Sequence, residues 1–410
     1  MKKTLISICA LLATIGVQAE GATNGQTVSN TELLSEVSYS NKKVQQTLLE
    51  MRQANGGQLD YSRVPWHVLK GERQWSLQDV DRKNWTCGFW AGELWYDYEL
   101  TGDERVRQEA ERYTAALDTL TRQPIYDHDL GFLIYCSNGP ALRLTGEECY
   151  RQTIVRAADL LVTLYNPKVG TMLSWPRNVK MFGGHNTIMD NMINLETLFA
   201  ASKLTGNKLY YNIAVNHAAT TMRHHFRPDY SSFHVAVYDT LTGDFIHGVT
   251  HQGYADNTMW ARGQSWAIYG YTMVYRETHD PVFLDFAQKV TDVYLSRLPD
   301  DLIPYWDFDD PKIPNTYRDV SAACVVASAL IELSQYVGQE KGRRYLEQAQ
   351  QMLRSLATPD YQSRDRNSAM LLHSVGNLPA GTEIDASICY ADYYYMEALA
   401  RLKRLTHRGA

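Results

Sequence analysis

The sequence has little that would tie it to membranes, nucleic acid, nucleotides or metal. Beyond residue 17 no apolar run approaches the roughly 20 residues that a helix needs to cross a bilayer, so no stable membrane insertion is expected. Positive charge is not in excess. The formal net charge is −6, whereas a nucleic-acid backbone requires a concentrated basic surface. Nucleic acid is therefore not an expected partner, although a local basic pocket for an anionic sugar is compatible with this balance. No CxxC, HExxH, GxSxG, P-loop or dinucleotide fingerprint is present, which removes the usual signatures of zinc, serine-nucleophile and nucleotide chemistry. Neither a metal nor an organic cofactor is expected. Cys87, Cys136, Cys149, Cys324 and Cys389 are scattered through helical patterns, where small thiols are ordinary core residues.

What is present begins with Met1-Lys2-Lys3, a largely apolar run over residues 4–17, and Gln18-Ala19-Glu20. This is the layout of a secretory signal peptide over residues 1–19, and it predicts export, with the periplasm as the destination. Cys9 lies inside the apolar run, which favours cleavage over a lipid anchor. Loss of Lys2 and Lys3 with the leader would take the net charge to −8. Residues 20–37 read as a flexible leader and 38–410 as one domain. At 44% hydrophobic residues, a chain of this length can bury a large core.

A helix, a short turn and a second helix recur along the chain. The turns begin at Thr101-Gly102-Asp103, Thr145-Gly146-Glu147 and Thr205-Gly206-Asn207, with looser versions at Thr278 and Val337. Helices are predicted over 33–51, 86–100, 104–120, 150–164, 187–202, 209–227, 260–275, 281–298, 321–336, 343–353 and 386–405. The helix before each turn is rich in aromatic and small residues, and the one after it is half polar. Six such hairpins closing on themselves would bury one set of helices inside the other, as an all-α six-hairpin toroid. The longer connections, 121–131, 166–185, 228–259, 299–319 and 358–384, all precede inner helices and should rim one cleft. Residues 233–238 and 243–249 alternate as a small hairpin would, and 60–84 reads as a long polar connection.

The candidate chemistry lies at these helix mouths. Asp129, in His128-Asp129-Leu130-Gly131-Phe132, and Asp190, in Ile188-Met189-Asp190-Asn191-Met192, each precede or open an apolar helix. A carboxyl there can act as a helix cap. Two of them at neighbouring mouths also suit acid–base work, since burial or a like charge can keep one protonated near neutral pH. His128, His185, His234 and His251 fall in the same loops without metal-ligand spacing. The stretch His251-Gln252-Gly253 through Trp260-Ala261-Arg262 to Trp266 joins a polar loop to an apolar helix. Arg262 and Trp266, four apart, would share a face, where a guanidinium and an indole could meet an anionic ring. Trp85 and Trp175 offer further flat surfaces for a sugar.

Together with Asn84-Trp85-Thr86-Cys87-Gly88-Phe89-Trp90 and Tyr390-Ala391-Asp392-Tyr393-Tyr394, these stretches resemble the unsaturated glucuronyl hydrolases of glycoside hydrolase family 88, over residues 38–405. The resemblance implies an (α/α)6 barrel. It also implies removal of a 4,5-unsaturated uronic acid from the non-reducing end of lyase-generated oligosaccharides, derived from chondroitin or heparin, by hydration of the C4=C5 enol-ether bond. In that family Asp190 matches the group that protonates C4 and then activates water, and Asp129 matches a second essential aspartate. His234, Gln252 and Arg262 match substrate-contacting positions, with Trp85, Trp175 and Trp266 around the sugar and His128 and His251 as further pocket residues. An unsaturated rhamnogalacturonyl hydrolase and an inactive sugar-binding toroid are the alternative readings. Retention of both aspartates argues against the latter.

Overall fold

The computed structural model describes residues 29–408; the expected signal peptide and the last two residues lie outside them. The first helix is α1 (Asn30–Ala54). It corrects the expectation of a flexible leader up to residue 37. Ser29 and Glu32 form a reciprocal capping box, and Leu33 and Val37 are buried, so both a cap and apolar contacts order this segment.

Thirteen helices are present among the described residues. After α1 come α2 (Phe89–Thr101), α3 (Glu104–Leu117), α4 (Leu130–Thr145), α5 (Glu148–Leu161) and the short α6 (Val179–Phe182). They are followed by α7 (Asn191–Thr205), α8 (Lys208–His224), α9 (Ala261–Thr278) and α10 (Pro281–Ser296). The chain ends with α11 (Val320–Leu333), α12 (Gln339–Leu356) and α13 (Cys389–Arg408). Helices α2, α4, α7, α9, α11 and α13 pack each against the next, and α13 returns onto α2. That closes the inner ring of an (α/α)6 barrel. Helices α3, α5, α8, α10 and α12 lie outside it, and α1 completes the outer layer against α13 and α2.

The two layers differ because their surroundings differ. Every residue of α11 is buried, as befits a helix covered on all sides, whereas α12 buries one stripe and exposes the other. The repeated turn has a simple physics. Thr101, Thr145, Thr205 and Thr278 each donate their hydroxyl to the carbonyl four residues back, at 2.7–2.8 Å. Each then accepts the N–H two residues on. Gly102, Gly146 and Gly206 follow in the left-handed conformation that ends a helix, and His279 takes the same conformation at φ 54°. Asp103, Asn207 and Asp280 then cap the outer helix, each such cap being worth about 1 kcal/mol.

Three small sheets decorate one end. The 60–84 connection holds an antiparallel pair, β1 (Arg63–Val68) and β2 (Ser76–Asp79). Strands β3 (Tyr165–Asn166) and β4 (Thr171–Met172) form the second sheet. The hairpin expected within 228–259 is present as β6 (Val235–Tyr238) and β7 (Phe245–Val249). It is extended by β5 (His185–Ile188) on its other edge. Finally β8 (Ser387–Ile388) pairs with β1, so the first and last connections meet. Thr187 is thus a strand residue, and the helix predicted from 187 starts at Asn191. The β-branched Thr187 and Ile188 suit the pleated surface they occupy.

Candidate active site

The long connections all feed the N-termini of inner helices, so these six N-termini open on one end of the ring. Their unsatisfied N–H groups and dipoles make that end favourable to negative charge. Asp129 is the N-cap residue of α4, Asp190 that of α7 and Asp319 that of α11. Trp260 precedes α9, Trp85 lies just ahead of α2, and Tyr390 is in the first turn of α13.

The β5–β6 register brings Asp190 to His234. Ile188 pairs with Val235 and the Met189 N–H donates to the His234 carbonyl at 3.0 Å. Consequently Asp190 Oδ2 lies 3.4 Å from His234 Nε2. His234 Nδ1 accepts the N–H groups of His251 and Gln252, at 3.2 and 3.3 Å, so the ring presents its Nε2–H to Asp190. A parallel arrangement serves the other carboxyl. Asn194 Nδ2 donates to His128 Nδ1 at 2.8 Å, which places the His128 Nε2 proton towards Asp129 Oδ1, 3.4 Å away. Burial pushes His128 down to about 4, so it is neutral at physiological pH.

The two aspartates are driven apart. Burial, followed by the negative charges of Asp127 and Asp190, holds the Asp129 carboxyl well above the usual carboxylate range. Burial also pushes Asp190 up, but the facing His234 imidazole and the more distant Arg262 guanidinium outweigh it, and Asp190 lies below its ordinary value. Of the two, Asp129 therefore holds a proton more tightly than Asp190. Around them Asp190 Oδ2, His128 Nε2, His234 Nε2, Asn191 Oδ1 and Asn194 Oδ1 are buried without a hydrogen-bond partner. Such groups are costly to leave unpaired, which marks this mouth as a polar site among apolar surroundings.

Gly131 permits this packing. A Cβ there would stand 2.2 Å from Asn194 Oδ1. Gly131→Ala is expected to displace Asn194 from His128, cost about 1–3 kcal/mol of stability and lower kcat. Thermal melting and steady-state kinetics measure both effects, and a fully active, equally stable variant would refute the account.

The aromatic residues divide between ligand surface and core. Trp175 meets His251 at 5.1 Å between ring centroids, His234 at 6.1 Å and His128 at 6.2 Å, so it forms a wall beside both carboxyls. Trp85 is half-buried and stands against Tyr390 at 4.9 Å. Trp266 is different: it is fully buried, covered by Phe132 and Tyr394, each at 5.4 Å. It lies one turn below the mouth, inside the ring, and does not share a ligand-facing surface with Arg262. His185 is also removed from the aspartates, bonding Thr171 Oγ1 at 3.0 Å within the sheet region.

Arg262 is 1% exposed and acts as a strut. Its Nη1 donates to Asp319 Oδ2 at 2.8 Å and to the Val375 carbonyl at 2.5 Å, and its Nη2 donates to the Gly376 carbonyl. Gln252 Nε2 donates to the same Gly376 carbonyl at 3.1 Å. These two side chains thus hold the 373–386 segment over the mouth, so the guanidinium fork expected to face a uronate is occupied by protein. The cation that keeps an exposed edge nearby is Arg177, whose side chain is 42% exposed and pairs with Asp127 at 2.5 Å. Sequence reasoning missed Arg177, Tyr390, Trp260 and Asp319. Trp260 and Tyr390 lay inside quoted motifs, and Asn194, four residues after Asp190, was visible on the same helical face.

The chain matches the profile of Glycosyl Hydrolase Family 88 over residues 60–404. It is 45% identical over 334 residues to an unsaturated glucuronyl hydrolase of Formosa agariphila, covering 80% of this chain and 82% of that protein. It is 34% identical over 327 residues to an unsaturated chondroitin disaccharide hydrolase of Streptococcus pyogenes, covering 78% and 82%. A crystal structure of an unsaturated glucuronyl hydrolase specific for heparin superposes with a TM-score of 0.82 at 38% identity, over 90% of this chain and 98% of the other. Matched in sequence from the first sheet to the last helix and in fold around the whole ring, the chain is a glycosidase that belongs to glycoside hydrolase family 88.

Proposed function

We propose that this protein removes the 4,5-unsaturated uronic acid from the non-reducing end of glycosaminoglycan oligosaccharides left by polysaccharide lyases. The observation that carries the reading is the pair of buried carboxyls with opposed proton affinities at a mouth built from six helix N-termini. Hydration of an enol ether needs a proton for C4 and a water oxygen for C5. A carboxylic acid supplies the first, and the carboxylate it becomes takes a proton from the water that supplies the second. Asp190 is assigned both steps. The uronate carboxylate brings another negative charge beside Asp190 and favours its protonation, and Asp129 is the reservoir from which that proton comes. After C4 is protonated and water adds to C5, the hemiketal opens to a keto acid and frees the remaining sugar, with Asp190 reprotonated. Because the reaction does not displace at the anomeric carbon, the carboxylate-spacing rule of ordinary glycosidases does not apply.

His234 orients Asp190, Trp175 and Trp85 flank the ring, and Arg177 adds positive potential at the mouth. Chondroitin- and heparin-type disaccharides are the proposed substrates, and export to the periplasm would place the protein where such fragments arrive. The expected result is loss of the ultraviolet absorbance of unsaturated chondroitin and heparin disaccharides on mixing with the purified protein. A panel that includes unsaturated rhamnogalacturonan separates the related activity, and binding without loss of absorbance on any member would leave only the inactive-toroid reading.

The protonation states give a second test. The reaction needs at least one proton on the pair, so kcat/KM should fall along an alkaline limb. That limb follows Asp129, raised well above its ordinary value. Asp129→Asn is expected to abolish the alkaline limb and to lower kcat by about 10²–10⁴-fold. An unchanged profile in that variant would rule out the reservoir role.

A further inference from the structure

A cavity of about 410 Å³ runs through the ring, from Gly131, Phe132 and Ile193 in the first turns of α4 and α7 down to Arg276, Arg401 and Arg404 towards the C-terminal ends of the inner helices. Its volume is within the range of small-molecule sites. The six helix C-termini present negative dipole ends here, and arginines gather against them. None of these cations is left over for an anion. Arg276 pairs with Glu196, Glu277 and Glu332, Arg401 with Glu332 and Glu397, and Arg143 and Arg404 share Glu99.

The other part of the wall is tyrosine. Tyr135, Tyr269, Tyr393 and Tyr394 all line the cavity. Tyr394 is 1% exposed, yet its hydroxyl, like that of Tyr135, makes no hydrogen bond to protein among the described residues. Flat aromatic faces, free hydroxyls and paired guanidinium–carboxylate edges together provide apolar contact with both donors and acceptors. An anion would have to displace a carboxylate from a buried guanidinium, which is costly. A neutral polyhydroxylated ring would not.

We propose that this cavity is a second binding site, for a neutral sugar or polyol, distinct from the mouth where the uronate is placed. The proposal does not depend on the reaction assigned to the aspartates. It is tested by saturation-transfer NMR on the intact protein carrying Asp190→Asn, with myo-inositol and D-glucose as probes. Saturable transfer to either probe that persists when the unsaturated disaccharide is in excess supports the second site. Absence of transfer to both, or displacement by the disaccharide, overturns it. Gly139 lines the cavity, and the nearest atoms a Cβ there would meet belong to the Tyr135 ring, 2.9 Å away. Gly139→Leu should therefore crowd one wall and weaken transfer several-fold, and a folded Gly139→Leu protein that binds unchanged would overturn the assignment. The competition measurement decides the matter even where that variant does not fold.

Discussion

Asp190→Asn is expected to lower kcat by about 10⁴-fold, the upper end of what one acid–base group contributes, because the same carboxyl serves both the protonation of C4 and the activation of water. The amide is nearly the same shape but can neither donate the proton nor receive one. Stability should fall slightly. Burial pushes the Asp190 carboxyl up, but His234, 3.4 Å from its Oδ2, outweighs it and leaves Asp190 below its ordinary value, so the folded protein favours the ionised carboxylate and loses that contribution with the amide. Absorbance assays on an unsaturated disaccharide, paired with thermal melting, check both halves. Near-normal turnover by the variant would reject the assigned role outright.

The second large effect is structural. Arg262→Ala is expected to destabilise the fold by about 3–5 kcal/mol, the usual cost of stranding one partner of a buried ion pair. Asp319, fully buried, would keep only the N–H and hydroxyl of Ser321. The Val375 carbonyl would lose its side-chain donor and the Gly376 carbonyl would keep only Gln252 Nε2, loosening the 373–386 segment at the mouth. Arg262→Lys should rescue little, since one ammonium lacks the planar fork that reaches a carboxylate and two carbonyls together. Denaturant unfolding and steady-state kinetics distinguish a strut from a substrate clamp. A strut loses stability along with activity, whereas a clamp raises KM and leaves unfolding alone, so an unchanged unfolding midpoint would remove the strut reading.

The architecture was legible because it repeats. The Thr-Gly turns, the alternation of apolar and half-polar helices and the long connections before inner helices are all local patterns, and each recurs in the structure with the same hydrogen bonds. The ends of elements were less visible. The leader hid a capping box at Ser29 and Glu32, and the end of strand β5 was read as the start of a helix because Thr187, Ile188 and Met189, all apolar or β-branched, fit either period. That error mattered, since it is the strand pairing that brings His234 to Asp190.

Determined by the sequence alone are the toroid, the two aspartates at inner-helix mouths and the family to which their motifs belong. These follow from spacing along the chain, which fixes the faces of helices and the positions of turns. What only the tertiary structure decided is which of the polar residues near the mouth face a ligand. Arg262 and Trp266 lie four residues apart on α9, but a carboxylate and two carbonyls from other connections occupy the first, and aromatic rings from α4 and α13 cover the second. The same long-range packing sets the two carboxyls' opposite proton affinities. Burial and the neighbours of a charge depend on residues far away in sequence, and no local pattern encodes them.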